Sequence, residues 1–186
     1  MLILGIIASS TLVAAGDFES IATVTVGSGG AASVTFSSIP ATYTHLQIRA
    51  LARTAGSSTG GTSWALRYNS ASSNYARHNI SGDGSSASAD SGTSETYGYL
   101  ESLATGGLTA SVFGSIVIDI LDYANTNKYK TVRSLAGWDN NGSGRIVLTS
   151  HLYQSTSAIS QIDITAGNTQ DYVQYSHFAL YGIRSA

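Results

Sequence analysis

The chain has no cysteine, one proline and one methionine among its 186 residues, and only 11% of those residues are charged. Without cysteine there is no disulfide scaffold, no thiolate metal site and no thiol nucleophile. The charged fraction lies far below the roughly 25% of an ordinary soluble domain, so solubility rests on Ser, Thr, Asn and Gly. A neutral, hydroxyl-rich surface suits packing against other protein, or contact with glycans, better than the life of a self-repelling free monomer. Clustered cations are also missing. Arg49, Arg53, Arg67, Arg77, Lys128, Lys130, Arg133, Arg145 and Arg184 are scattered and the net charge is −2, whereas phosphate-driven binding needs a basic stripe. Nucleic acid is not an expected partner.

Long apolar runs are lacking too. Residues 1–16 (MLILGIIASSTLVAAG) carry no charge, but the run breaks at Ala8-Ser9-Ser10-Thr11, short of the ~20 apolar residues of a membrane helix. A secretory signal would need a basic leading region, and none is present. Neither a membrane span nor export is therefore expected. The β-branched Ile3, Ile6, Ile7 and Val13 favour an extended strand, which either completes the chain's own sheet or adds to that of a partner. This divides the sequence into an apolar docking arm, residues 1–16, and a β-sandwich domain, residues 17–186. The expected docking side chains are Leu2, Ile3, Leu4, Ile6, Ile7, Leu12 and Val13.

What is abundant is two-residue alternation punctuated by turns. Residues 21–26, 32–36 and 44–53 read as a three-strand meander, and 75–80 as the return of the strand carrying Trp64, Leu66 and Tyr68. Residues 81–94 (SGDGSSASADSGTS) hold no large apolar side chain and read as a mobile loop. Residues 110–123 (ASVFGSIVIDILDY) read as the central strand. Residues 130–138 and 145–153 flank an Asn141-Gly142 hairpin turn, and 161–165 pairs with 174–183. No segment shows helical periodicity. About ten short strands predict an all-β fold: an antiparallel, jelly-roll-like sandwich with an extended N-terminal arm.

Catalytic apparatus is absent from the pattern. His45, His78, His151 and His177 have no metal-ligand spacing. Asp119 and Asp122, three apart in a strand, face opposite ways and cannot cooperate as glycosidase carboxylates do. A hydrolase using Asp119 or Glu101 would need both in one cleft. No serine sits in a nucleophile elbow, the Gly-rich stretches lack the lysine and helix of a phosphate loop, and DNNGSG lacks the terminal carboxylate of a calcium loop. The expectation is a protein that is not an enzyme and uses no cofactor or metal. Eleven tyrosines and two tryptophans supply flat apolar faces with polar edges. Most should cover the sandwich, while Trp64, Tyr97 and Tyr99 are candidate glycan contacts.

The wording of residues 18–49 (FESIATVTVGSGGAASVTFSSIPATYTHLQIR), 74–84 (NYARHNISGDG), 118–144 (IDILDYANTNKYKTVRSLAGWDNNGSG) and 178–184 (FALYGIR) resembles a family of tailed-bacteriophage virion proteins. The opening residues 2–9 (LILGIIAS) resemble the short starts of such proteins. The resemblance spans most of the chain and implies a structural, fibre-like or head-decoration role at the virion surface. No catalytic residues come with it. A sandwich of this length leaves no room for a long fibre shaft, so a capsid-surface decoration or short head-fibre subunit is expected. Its partners would be other capsid or tail virion proteins and copies of itself, with a trimer favoured, and no membrane. The alternatives are a tail or baseplate accessory protein and a carbohydrate-binding adhesion module for a host-surface glycan.

Overall fold

Strict alternation shapes the strands. Along residues 130–139 the side chains of Lys130, Val132, Ser134, Ala136 and Trp138 point inward, while Thr131, Arg133, Leu135 and Asp139 point to solvent. That is the pattern of a strand covering a core on one face. The computed structural model describes residues 17–184. Among them are twelve strands, one 3-10 turn (Gly167–Thr169) and no α-helix. The strands are β1 (Phe18–Thr25), β2 (Ser33–Phe36), β3 (His45–Thr54), β4 (Thr62–Tyr68), β5 (Tyr75–Gly82), β6 (Ala87–Glu95), β7 (Gly98–Thr105), β8 (Gly114–Ile120), β9 (Lys130–Asp139), β10 (Gly144–Tyr153), β11 (Ile162–Ala166) and β12 (His177–Ile183).

They form a β-sandwich-like, all-β fold. One layer runs β1-β12-β3-β8-β9-β10-β5-β6, all antiparallel, and the other runs β2-β11-β4-β7. A short parallel pairing of Arg53 and Thr54 on β3 with Ala104 and Thr105 on β7 joins the layers into one mixed sheet. Between them lies one main core, in which Leu46, Ile48, Ile116, Ile118 and Phe178 of the large layer meet Val34, Phe36, Trp64, Leu66, Ile162 and Ile164 of the small one.

The alternation marks strands better than it marks their partners. The Asn141-Gly142 hairpin forms as expected. Asn141 and Gly142 both take positive φ, and β9 and β10 pair from Asp139 opposite Gly144 down to Lys130 opposite Tyr153. The expected meander does not form. β1 pairs with β12, β2 with β11, and β3 with β12 and β8. Likewise β5 is not the return of β4, and β11 and β12 lie in different layers. In each case the polar connection carries the chain across the sandwich, and a crossover turn has the same composition as a hairpin turn.

Two element boundaries also differ from expectation. Residues 81–94 are largely strand: β6 pairs with β5 from Gly82 opposite Ala87 to Tyr75 opposite Glu95. Nearly every β6 residue is exposed, so the strand covers no core and needs no apolar alternation. Its turn is held by the Asp83 carboxylate, which accepts from the Ser85 and Ser86 amides. Within residues 110–123 only Gly114–Ile120 is strand. The preceding loop wraps the buried guanidinium of Arg53, which donates to the carbonyls of Gly106, Leu108, Thr109 and Val112.

Candidate functional site

Two surfaces depart from what an inert sandwich requires. The first is the outer face of the large layer. Registers across β3, β8, β9, β10, β5 and β6 align Arg49, Val117, Leu135, Leu148, Ile80 and Ala89 in one row. The next row contains Leu51 and Ile146. Six large aliphatic side chains therefore stand on one solvent face, from Val117 at 38% exposure to Ile80 at 59%. On β6 the facing residues are the small Ala87 and Ala89, so the face is hollowed there. One hollow of about 570 Å3 is lined by Ile80, Leu135, Ile146 and Leu148, and an adjoining one of about 600 Å3 reaches His78 and Asp90. Contiguous exposed apolar surface of this kind marks interaction sites. Polar order lies beside it: Gln47 donates to Asp119 and accepts from Arg49, whose guanidinium lies over the rings of Phe18 and Tyr181.

The second surface is a furrow along β4 and β7, facing outward from the small layer and reaching the large one. Tyr97, Tyr99 and Glu101 share one side of the chain entering β7, while Gly98 and Leu100 turn into the core. Opposite Tyr99 on β4 stands Ala65, whose small side chain leaves room. The Tyr97 and Tyr99 rings lie 6.1 Å apart and 31° from parallel. A guanidinium stands over each: Arg67 at 5.4 Å from the Tyr97 ring centre and Arg77 at 4.3 Å from that of Tyr99. Arg77 is held by Glu95 and Asp90. At the far end Arg145 donates to Glu101 at 2.5 Å and to the Ser81 hydroxyl at 3.1 Å.

A bulge aims Glu101. The register between β4 and β7 shifts from Thr62 opposite Leu103 to Trp64 opposite Leu100, leaving Glu101 and Ser102 against one β4 residue. Ser102 takes φ +78. Bulges re-aim side chains in this way. Gly61 is required on the β4 side, because at its φ of +78 a Cβ would stand 2.7 Å from Trp138 Nε1. The Tyr99 phenol is pushed up by burial and by the Glu101 charge, with a Ser63 hydrogen bond pulling the other way. Among the described residues Trp138 Nε1 and the Nε atoms of Arg77 and Arg145 are buried without a hydrogen-bond partner.

The three aromatic candidates therefore separate. Tyr97 and Tyr99 come together in the furrow. Trp64 does not join them: it is fully buried and packs against Tyr172 and Phe178. It shares the inward side of β4 with Leu66 and Tyr68, so its large apolar area is spent on the core rather than offered to a glycan. The docking residues Leu2, Ile3, Leu4, Ile6, Ile7, Leu12 and Val13 lie outside the described residues. Asp119 and Glu101 sit on different surfaces with different partners, Gln47 and Arg145. Arg67, Arg145 and the exposed aliphatic row were not picked out from sequence. The row's signal was there in the aliphatic residues at solvent-side positions of β9 and β10.

Comparison with protein-family models, with curated proteins and with solved structures finds no match.

Proposed function

We propose that this chain is a non-enzymatic structural subunit of a tailed-bacteriophage virion, a capsid-surface decoration or short head-fibre protein that assembles with copies of itself. The observation that carries the reading is the exposed aliphatic face, two adjacent rows across β3, β8, β9, β10 and β5. Six side chains are each about half exposed, and full burial of such a side chain contributes ~1.5–3 kcal/mol, so covering the remainder yields about 6 kcal/mol. Association costs about 4–15 kcal/mol in lost freedom. One such contact is weak. Repetition in a closed, symmetric array makes it strong, which is how a shell or trimer subunit works.

The occupant we assign to the row is the uncharged segment 1–16 of a neighbouring copy. From Val117 to Ala89 the row crosses four inter-strand spacings, about 19 Å, the length of about six extended residues. Residues 2–7 (LILGII) supply that length in apolar side chains without a charge. The resemblance to phage virion proteins supports the same reading.

Sedimentation velocity on the full chain tests the assembly. A concentration-dependent oligomer is expected, reduced to monomer by Leu135→Asp with Leu148→Asp and equally by Ile3→Asp with Ile6→Asp. A wild-type monomer at all concentrations overturns self-assembly. Immunogold labelling of intact virions tests location: gold on heads supports the reading, gold on tails transfers it to a tail accessory role, and unlabelled particles overturn it.

A further inference from the structure

We infer that the furrow between β4 and β7 binds a short saccharide chain with a carboxylate-bearing sugar seated at Arg67, independently of how the chain assembles. Two concavities, of about 370 and 340 Å3, share Tyr97 and Gly167. They make one continuous furrow with Tyr97 at its middle. Each falls within the ~300–1,000 Å3 of small-ligand sites, and neither is enclosed by apolar side chains.

Its chemistry changes along its length. In the middle stand Tyr97 and Tyr99, both half-buried; a tyrosine ring packs against the C–H face of a pyranose while the sugar's hydroxyls reach polar edges. At one end the paired Glu101 and Arg145 place acceptors and donors side by side, groups that adjacent hydroxyls on a sugar ring can satisfy. Ser63 and Ser102 add hydroxyls there. A wholly apolar ligand would leave these groups desolvated and unpaired, which is costly.

The other end selects charge. Among the described residues no carboxylate lies within ion-pair distance of Arg67, although its cross-strand partner is Asp163. The Asp163 carboxylate is instead taken by Thr35 and Gln161. Arg67 thus keeps a planar donor fork open beside the Tyr97 ring, and a fork of that kind matches a carboxylate in two hydrogen bonds.

Saturation-transfer NMR and titration of the full chain with three trisaccharides test the inference: trigalacturonate, sialyllactose and the neutral galactotriose. The two acidic probes separate a uronate from a sialate source of the carboxylate. Binding of at least one acidic probe is expected, tenfold or more tighter than galactotriose. Tyr97→Ala should weaken it at least tenfold, Tyr97→Phe should preserve it by keeping the ring, and Arg67→Gln should erase the acidic preference. Arg133→Ala, on the opposite outer face, should change nothing. Circular dichroism of each variant separates lost binding from lost fold. No saturation transfer from any of the three, equal affinity for galactotriose, or binding indifferent to Tyr97→Ala in a folded variant overturns the inference.

Discussion

The Tyr68 hydroxyl and His151 Nε2 meet at 2.8 Å inside the sandwich, with their rings 26° from parallel. Both residues are buried, one on the small layer and one on the large, so this polar contact ties the two layers through the core, as does the Tyr68 amide donating to the Tyr75 hydroxyl. Tyr75 and Tyr153 stack beside it.

Burial pushes His151 down to about 3 from an ordinary value of 6.5. The folded state therefore refuses a proton that the unfolded chain accepts. The resulting stability is complete above pH 6.5 and is lost progressively as pH falls toward 3. Between pH 7 and pH 4 the loss is about 3 kcal/mol, at ~1.36 kcal/mol per pH unit across the window. Urea denaturation at the two pH values measures it, and His151→Leu should flatten the difference.

Lys130 is fully buried, and its ammonium donates to the carbonyls of Asn125, Lys128 and Thr156. Burial lowers its pKa, and the Asp122 charge partly offsets that effect. Lys130→Met keeps the volume and strips three acceptors of their donor, which should cost about 2–4 kcal/mol by the usual penalty for buried unpaired groups. Equilibrium unfolding in urea reads the change directly.

Arg53 organises the loop before β8 through four carbonyls. Lysine has neither the reach nor the forked geometry to replace it. Arg53→Lys should therefore speed amide hydrogen exchange across residues 106–113 at least tenfold while leaving β9 and β10 protected. Equal protection throughout would show that the loop holds itself.

Among the described residues strand β6 is bonded on one side only and covers no core. Its amides should exchange earliest among the strands, ahead of β5, which β10 shields on its other edge. Edge strands of low local stability behave so.

The sequence was a good guide wherever one face of a strand touches the core, and β9 could be read residue by residue. It was a poor guide to β6, because exposed small polar residues look alike in a strand and in a loop. Trp64 was legible in principle, since it keeps step with Leu66 and Tyr68, and a tryptophan in that company belongs inside. Tyr97, Tyr99 and Glu101 keep the opposite step to Gly98 and Leu100, so their common side was readable as well. Their meeting with Arg145 was not, because it depends on how two layers overlie one another, and alternation within a strand carries no information about that.

β12 lies between β1 and β3, and among the described residues it is the only strand with which β1 pairs. The chain therefore cannot complete its large layer in the order in which it is read. Phe18 must find Ile183 across nearly the whole length of the polymer, a closure that slows folding because the entropy is lost before the contacts repay it. Until β12 arrives, two strand edges stay open at once, and the insertion of one late ribbon closes both. That step is the natural place for the rate-limiting barrier to folding and for mispairing between chains that fold side by side.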